Sequence, residues 1–408
     1  MEIRPILSAL LRNKTAALLI AAQIALTLAI VSNAAYIIRD RVAISSRPSG
    51  IDDEARIFNI AVDSINKPDD ALSLQKQEER VLAAIPGVES ASATNQVPLG
   101  QSGWNMSLFL DKAQTESSSN MALYFTPGPF VKTLGLRLIE GRDFTDADVD
   151  EIDMNNDRRM GHVAIASQAL VKKLFPGGES AIGKQVYLGN DADAPEYEIV
   201  GVVERLQSPW SQIGENGELS LITAIRPIQS YVSYVVRTEP GQVERVMRDA
   251  EAALTRPGSE RLVIEKNTVA EIRDQRYRAD KAMVWMLVTV TVLLLLVTAS
   301  GIVGMATLWV NQRRKQIGVR RALGARRADI LRHFITENVL ISTLGIAVGT
   351  LLALSLNQLL VSQFELPRLP LLHLLVGMAT LWALGIAAVY GPARRAASVA
   401  PATATRSA

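Results

Sequence analysis

Four long stretches without a charged side chain decide what this chain can become: residues 15–38, 282–310, 338–364 and 369–390. About 20 predominantly apolar residues cross the hydrocarbon core of a bilayer as a helix. Only a helix or a closed barrel satisfies its own backbone hydrogen bonds in lipid, so each run predicts a spanning helix. The first run follows Arg4, Arg12 and Lys14, as a signal peptide would. It is longer than a typical signal core and ends in Tyr36-Ile37-Ile38-Arg39 rather than at small residues, which predicts a retained helix. Over all 408 residues the apolar share is 48%, inside the soluble range. The distribution decides the class, because residues 39–281 read like a soluble protein.

Charge then sets direction. Between the second and third runs lie Arg313, Arg314, Lys315, Arg320, Arg321, Arg326, Arg327 and Arg332, opposed only by Asp329 and Glu337. The tail carries Arg394, Arg395 and Arg406, whereas the link between the third and fourth runs holds Glu365 and Arg368. Positive short segments stay in the cytoplasm, so both termini are expected inside and residues 39–281 outside. A net charge of +2 gives no case for nucleic acid. The absence of cysteine excludes disulfides and thiolate chemistry. His162, His333 and His373 are far apart, and no metal site is expected.

Before the first span, Ile3, Ile6, Leu7, Leu10 and Leu11 form an apolar stripe. Residues 1–14 therefore read as a cytoplasmic interfacial helix or as the start of the span itself. Within the span, Ala17, Ala21, Ala25 and Ala29 recur every fourth residue, followed by Asn33. Small residues let helices approach and an amide can bond across, so these five are candidates for an interface with a second copy or a related chain. Gly345 and Gly349 form a G-x-x-x-G pattern in the third span, a weak signal alone.

The outer segment alternates strand and helix signals. Strands are expected near 57–62, 163–165, 197–203, 231–236 and 261–264, and helices over 71–85, 167–175 and 242–254. That mixture predicts compact α+β subdomains. The serine-rich stretch 116–120 and the acidic run 143–157 read as loops, and the spacing of the acids matches no EF-hand. Residues 178–184 approach a phosphate-binding loop, but Gln185 stands where a magnesium-binding hydroxyl is required, so a turn is expected. If ATP drives this machine, another chain is expected to bind it. Thr268 and Glu271 fit a capping box, opening a helix that runs without Pro or Gly into the second span.

The segment Gln316-Ile317-Gly318-Val319-Arg320-Arg321-Ala322-Leu323-Gly324-Ala325, followed by Glu337, resembles the signature of the MacB/FtsX-like ABC permeases. Residues 130–144 and 163–183 resemble that family's periplasmic domain, and residues 391–397 its C-terminal motif. The one-plus-three arrangement of spans is similar too. The resemblance implies an α-helical membrane protein with four transmembrane helices plus a large two-part, MacB-like α+β periplasmic domain on stalk helices. It places a cytoplasmic coupling segment at 311–337 and a tail at 391–408. It further implies a bacterial inner-membrane permease that is not itself an enzyme, paired with a second copy or a paralogue. ATP and magnesium would sit on separate ABC ATPase subunits.

The implied function is export of a periplasmic substrate, coupled to ATP by motion of the outer domain, through an adaptor and an outer-membrane channel. Lipoprotein release and non-transporting control of cell-wall hydrolases are the alternatives. Gly318 and Gly324 are expected to bound a short helix carrying Arg320 and Arg321, with Ile317 and Leu323 as apolar contacts. The same arginines also suit anionic lipid. Two departures from the family stand out. The ATPase is expected on a separate chain, since no segment of these 408 residues reads as a nucleotide-binding loop, and the tail reads Pro401-Ala-Thr-Ala-Thr-Arg406 rather than the usual ending.

Overall fold

The computed structural model describes residues 14–66, 70–100, 103–153, 161–210, 215–256, 259–364 and 368–398. The expected interfacial helix at the N-terminus, Glu365 and the last ten residues lie outside these. In chain order, helix α1 (Lys14–Ser45) is followed by β1 (Ile57–Ser64), α2 (Ala71–Ala83), β2 (Val88–Thr94), β3 (Asn105–Leu108) and β4 (Ser119–Phe125). Next come α3 (Phe130–Leu134), β5 (Leu138–Gly141), β6 (Asp150–Ile152), β7 (Val163–Ser167), α4 (Gln168–Leu174), β8 (Gln185–Tyr187) and β9 (Glu196–Val203). The outer segment closes with β10 (Ser220–Thr223), β11 (Ile225–Pro227), β12 (Val232–Thr238), α5 (Val243–Leu254) and β13 (Arg261–Thr268). The rest is helical: α6 (Val269–Gln312), α7 (Arg314–Ala322), α8 (Arg327–Phe364) and α9 (Leu371–Ala397).

Two compact units result, one of residues 46–278 and one of residues 1–45 with 279–408. In the first, strands order as β13-β1-β12-β2, all antiparallel. Alternation along β1 sends Phe58, Ile60 and Val62 to the face covered by α2 and α5, where they meet Leu82, Tyr234, Val246 and Leu254. Inserted between β2 and β12 is a second, mixed sheet ordered β3-β4-β10-β7-β9-β5, with β8 on β9. Its core gathers Leu123, Phe125, Ile165's neighbours Ala164 and Ala166, Leu170, Tyr197 and Leu221. The outer domain is thus two-part, the first part built from both ends of the segment and the second from its middle.

Two loop expectations need correction. Ser119 and Asn120 begin β4, because their backbone pairs with Leu108 and Ser107 of β3. The acidic run is only partly solvated. Asp148 is buried, caps its own turn through Thr145, and takes two bonds from Arg142 of 2.6 and 3.0 Å. Those Arg142 bonds hold its carboxyl well below the usual range. Downstream, β6 pairs with β11. The near-phosphate loop is a turn in which Gly178 and Gly183 take φ of +76° and +79°. Its Lys184 lies over the Phe175 ring and bonds Glu179.

The other unit is a bundle of four helices long and apolar enough to cross a membrane. Helix α6 begins at the expected capping box, where Thr268 and Glu271 exchange bonds of 2.8 and 3.1 Å. It runs unbroken for 44 residues through the second apolar run. Only 11% of its most apolar stretch is buried, against 50% for α1. Trp285, Leu293, Leu296 and Val297 remain exposed on it.

Candidate functional site

Where α6 ends, Arg313 breaks the helical path with φ −99° and ψ 7° and becomes the residue before α7. Its guanidinium bonds Glu337 of α8 at 2.8 and 3.0 Å. Glu337 is 1% exposed, and Arg313 also lies 5.9 Å from the centre of the Trp309 ring. A buried carboxylate without a partner is costly, so this pair fixes how α7 leaves α6 and meets α8. Ile317 and Gly318 are buried, and Ile317 joins the apolar core of the bundle with Ile330 and Phe334.

Gly318 therefore sits inside α7 instead of starting it. At the other end, Gly324 adopts φ +95°. Its N–H donates to the Arg321 carbonyl at 3.2 Å and that of Ala325 to the Arg320 carbonyl at 3.1 Å. These two bonds make the left-handed stop that glycine permits. Asp329 then accepts from the Arg326 N–H at 2.9 Å, opening α8.

This geometry divides the signature residues. Arg321 is half-buried and donates to the carbonyl of Ala397, so it closes the last turn of α9. Arg320 is exposed, and so are Gln316 and Ala322. Leu323, expected as an apolar contact, is 83% exposed because the turn at Gly324 lifts it off the bundle. With Val319, 46% exposed and one helical turn away, it forms an apolar spot beside Arg320. Between α7 and α8 a small cavity of about 90 Å³ is lined by Gln316, Arg320 and His333.

The alanine stripe is also redirected. Ala21, Ala25, Ala29 and Asn33 are buried within this chain, and Ala17 is half-buried against the same core. A Cβ built on Gly345 would lie 2.7 Å from the Ala21 carbonyl oxygen, and one on Gly349 would lie 2.8 Å from that of Ala25. The G-x-x-x-G pattern of α8 thus receives α1 backbone to backbone. Asn33 donates to the carbonyls of Ala29 and of Ala353 on α8, at 2.9 and 3.1 Å. The stripe is consumed by the chain's own third span, and the expectation that it meets a second permease is corrected.

Sequence reasoning missed how the outer unit is clamped where the chain enters and leaves it. Arg273, on the first turns of α6, makes two bonds of 2.6 Å to Glu54 and one of 3.0 Å to the Arg47 carbonyl. Tyr277 donates to Gln207, whose amide reaches the carbonyls of Arg47 and Pro48. In the bundle unit, Arg41 of α1 bonds Asp280 of α6 at 3.0 Å. Only the charges themselves signal these pairs in the sequence, because the partners lie more than two hundred positions apart.

Four spanning helices, a two-part α+β outer domain and a basic helix held at the end of the bundle define a membrane permease of the ABC type. Residues 20–253 match the MacB-like periplasmic core domain, and residues 288–401 match the FtsX-like permease C-terminal domain. The chain belongs to the MacB/FtsX-like permease family. It is 28% identical over 297 residues to the macrolide export ATP-binding/permease protein MacB of Nitrosomonas europaea, covering 70% of this chain and 43% of that one. The corresponding protein of Hyphomonas neptunium is 30% identical, over 66% of this chain and 41% of its own. The pyoverdine export protein PvdT of Pseudomonas syringae pv. tomato is 24% identical, over 66% and 40%. The chain spans about two fifths of the length of these relatives. Among solved structures, the extracellular domain of the Gram-positive transporter YknZ aligns with 51% of this chain and all of its own, at 17% identity and a TM-score of 0.32.

Proposed function

We propose that the chain is the transmembrane permease of an ATP-driven exporter in the bacterial inner membrane, with ATP and magnesium held by ATP-binding domains supplied from outside these 408 residues. The exposed end of α7 carries the reading. Arg320, Val319 and Leu323 make a charged and apolar face on a helix whose position is fixed by the Arg313–Glu337 pair. A lipid surface would also accept this mixed face; the stop at Gly324, which presents it at one fixed place, favours a protein partner. The positive-inside rule supports this orientation: the basic residues around α7 and in the last turn of α9 favour the cytoplasm for both elements and for both termini, and the periplasm for the two-part domain.

In this reading the permease itself performs no chemistry. Closure of the ATP-binding domains moves α7 and, through α6 and α1, the periplasmic domain of each of two permeases, identical or paralogous. A cargo taken up in the periplasm is then passed to an adaptor and outer-membrane channel. The names of the relatives, which export macrolides and pyoverdine, favour a small secreted molecule over a lipoprotein.

The test is co-purification with the cognate ATP-binding chain. Arg320→Glu combined with Leu323→Asp should reduce the ATPase recovered about tenfold, since removing a central anchor residue often costs more than 1 kcal/mol. Membrane insertion should be unchanged. Undiminished recovery would return the segment to a lipid-anchoring role.

A further inference from the structure

One face of the first outer sheet is covered by α2 and α5, and the opposite face forms the floor of a cavity of about 590 Å³. That volume lies in the range of small-molecule pockets. Neighbouring strands bring polar groups to this floor in register. Ala61 of β1 lies opposite Ser233 of β12 and Glu265 of β13, with Asn59 two residues along the same face. Asn59 is 1% exposed and its carbonyl oxygen accepts from the Ser233 hydroxyl. That bond offsets the cost of burying the two groups and leaves the Asn59 amide N–H groups for other partners.

The walls add aromatic surface. Trp104 is 46% exposed and anchored edge-on to Phe125 at 5.5 Å. Tyr231 stands at the rim, its phenol pushed up by burial and by the negative charges of Glu265 and Asp63. Gln275, from the first turns of α6, closes another side. Leu99, fully buried in the wall, holds a φ of +66°. Backbone strain of that kind in a bulky residue gathers at ligand clamps. Among the described lining residues there is one carboxylate, Glu265, and no Lys, Arg or His.

We infer that this cavity binds an organic cation rich in hydroxyl or amide groups, its ammonium placed by Glu265 and the faces of Trp104 and Tyr231, its polar groups by Asn59 and Gln275. Amide side chains match neutral donors and acceptors without a charge penalty. An exposed carboxylate beside open aromatic faces selects positive charge. Calling this ligand cargo rests on the permease reading above; its binding does not.

The test uses the full chain in lipid nanodiscs without an ATPase, so a failure of α7 docking leaves it untouched. The probes are a trimer of glucosamine, under mildly acidic conditions that protonate its amines, and the same trimer fully N-acetylated. The amine form should bind about tenfold more tightly, the sum of a partly exposed ion pair and a cation–π contact. Glu265→Gln, an isosteric change at an exposed side chain, should cut that preference to about threefold, leaving the aromatic share, and Trp104→Ala should weaken both probes. Equal binding of the two forms, a preference undiminished by Glu265→Gln, or no saturable binding of the amine form would overturn the proposal.

Discussion

Glu337 is the carboxylate on which the base of the bundle turns. Replacing it by Gln strands Arg313 beside an uncharged amide in a site where the acid is 1% exposed. Losing one member of such a pair typically costs about 3 kcal/mol, so Glu337→Gln should lower the thermal midpoint in detergent markedly, and Arg313→Met with Glu337→Leu should recover most of it. Asp148 offers a pH signature in the outer domain. Its carboxyl is held low by Arg142, so its contribution is complete above the unfolded value near 4 and disappears as pH falls toward the folded one. Arg142 is half-exposed, which limits the contribution to about 1 kcal/mol. Denaturant unfolding should show a steeper acid loss in the wild type than in Asp148→Asn; identical slopes would contradict the assignment. The signature motif made Glu337 legible, but not Arg313 as its partner. Leu323 was legible as an apolar contact, but the side it faces was not, because that depends on the left-handed turn at Gly324.

At the scale of elements, the spans and strands β1, β7, β9, β12 and the start of β13 were legible because their patterns are local, whereas β2 and β4, though seven residues long, were not. An uncharged run of twenty or more residues has one solution in lipid, and β1, β9 and β12 show their faces in their own alternation. The short strands β3, β5, β6, β10 and β11 were not legible, since three or four residues carry too little pattern and their pairing comes from distant chain. The alanine stripe shows a different limit. Small residues announce a close helix contact but not whose helix answers. Here Gly345 and Gly349 answer from α8, so Ala25→Leu should overpack the bundle by about 2 kcal/mol. Leu26→Ala, at an exposed position, should leave the melting temperature nearly unchanged. A cysteine at Ala25 should give no crosslink between subunits; efficient dimer crosslinking there would show that the helix pair opens to a second copy.

For the whole molecule, α7 at the end of the bundle is proposed as the docking helix, and the entry and exit segments of the outer domain are clamped together by Arg273 and Glu54. The insertion of the second sheet between β2 and β12 could not be foreseen from local signals, because only the closing pairs of β1 with β12 and β13 reveal it. The central claim is that α7 is where force enters. A photoreactive amino acid in place of Leu323 tests it directly, in membranes holding the cognate ATP-binding chain. The account predicts a crosslink from Leu323 to that chain, and none from exposed Leu26 on α1. Crosslinks from Leu323 to lipid alone, with the ATPase bound and active, would contradict it.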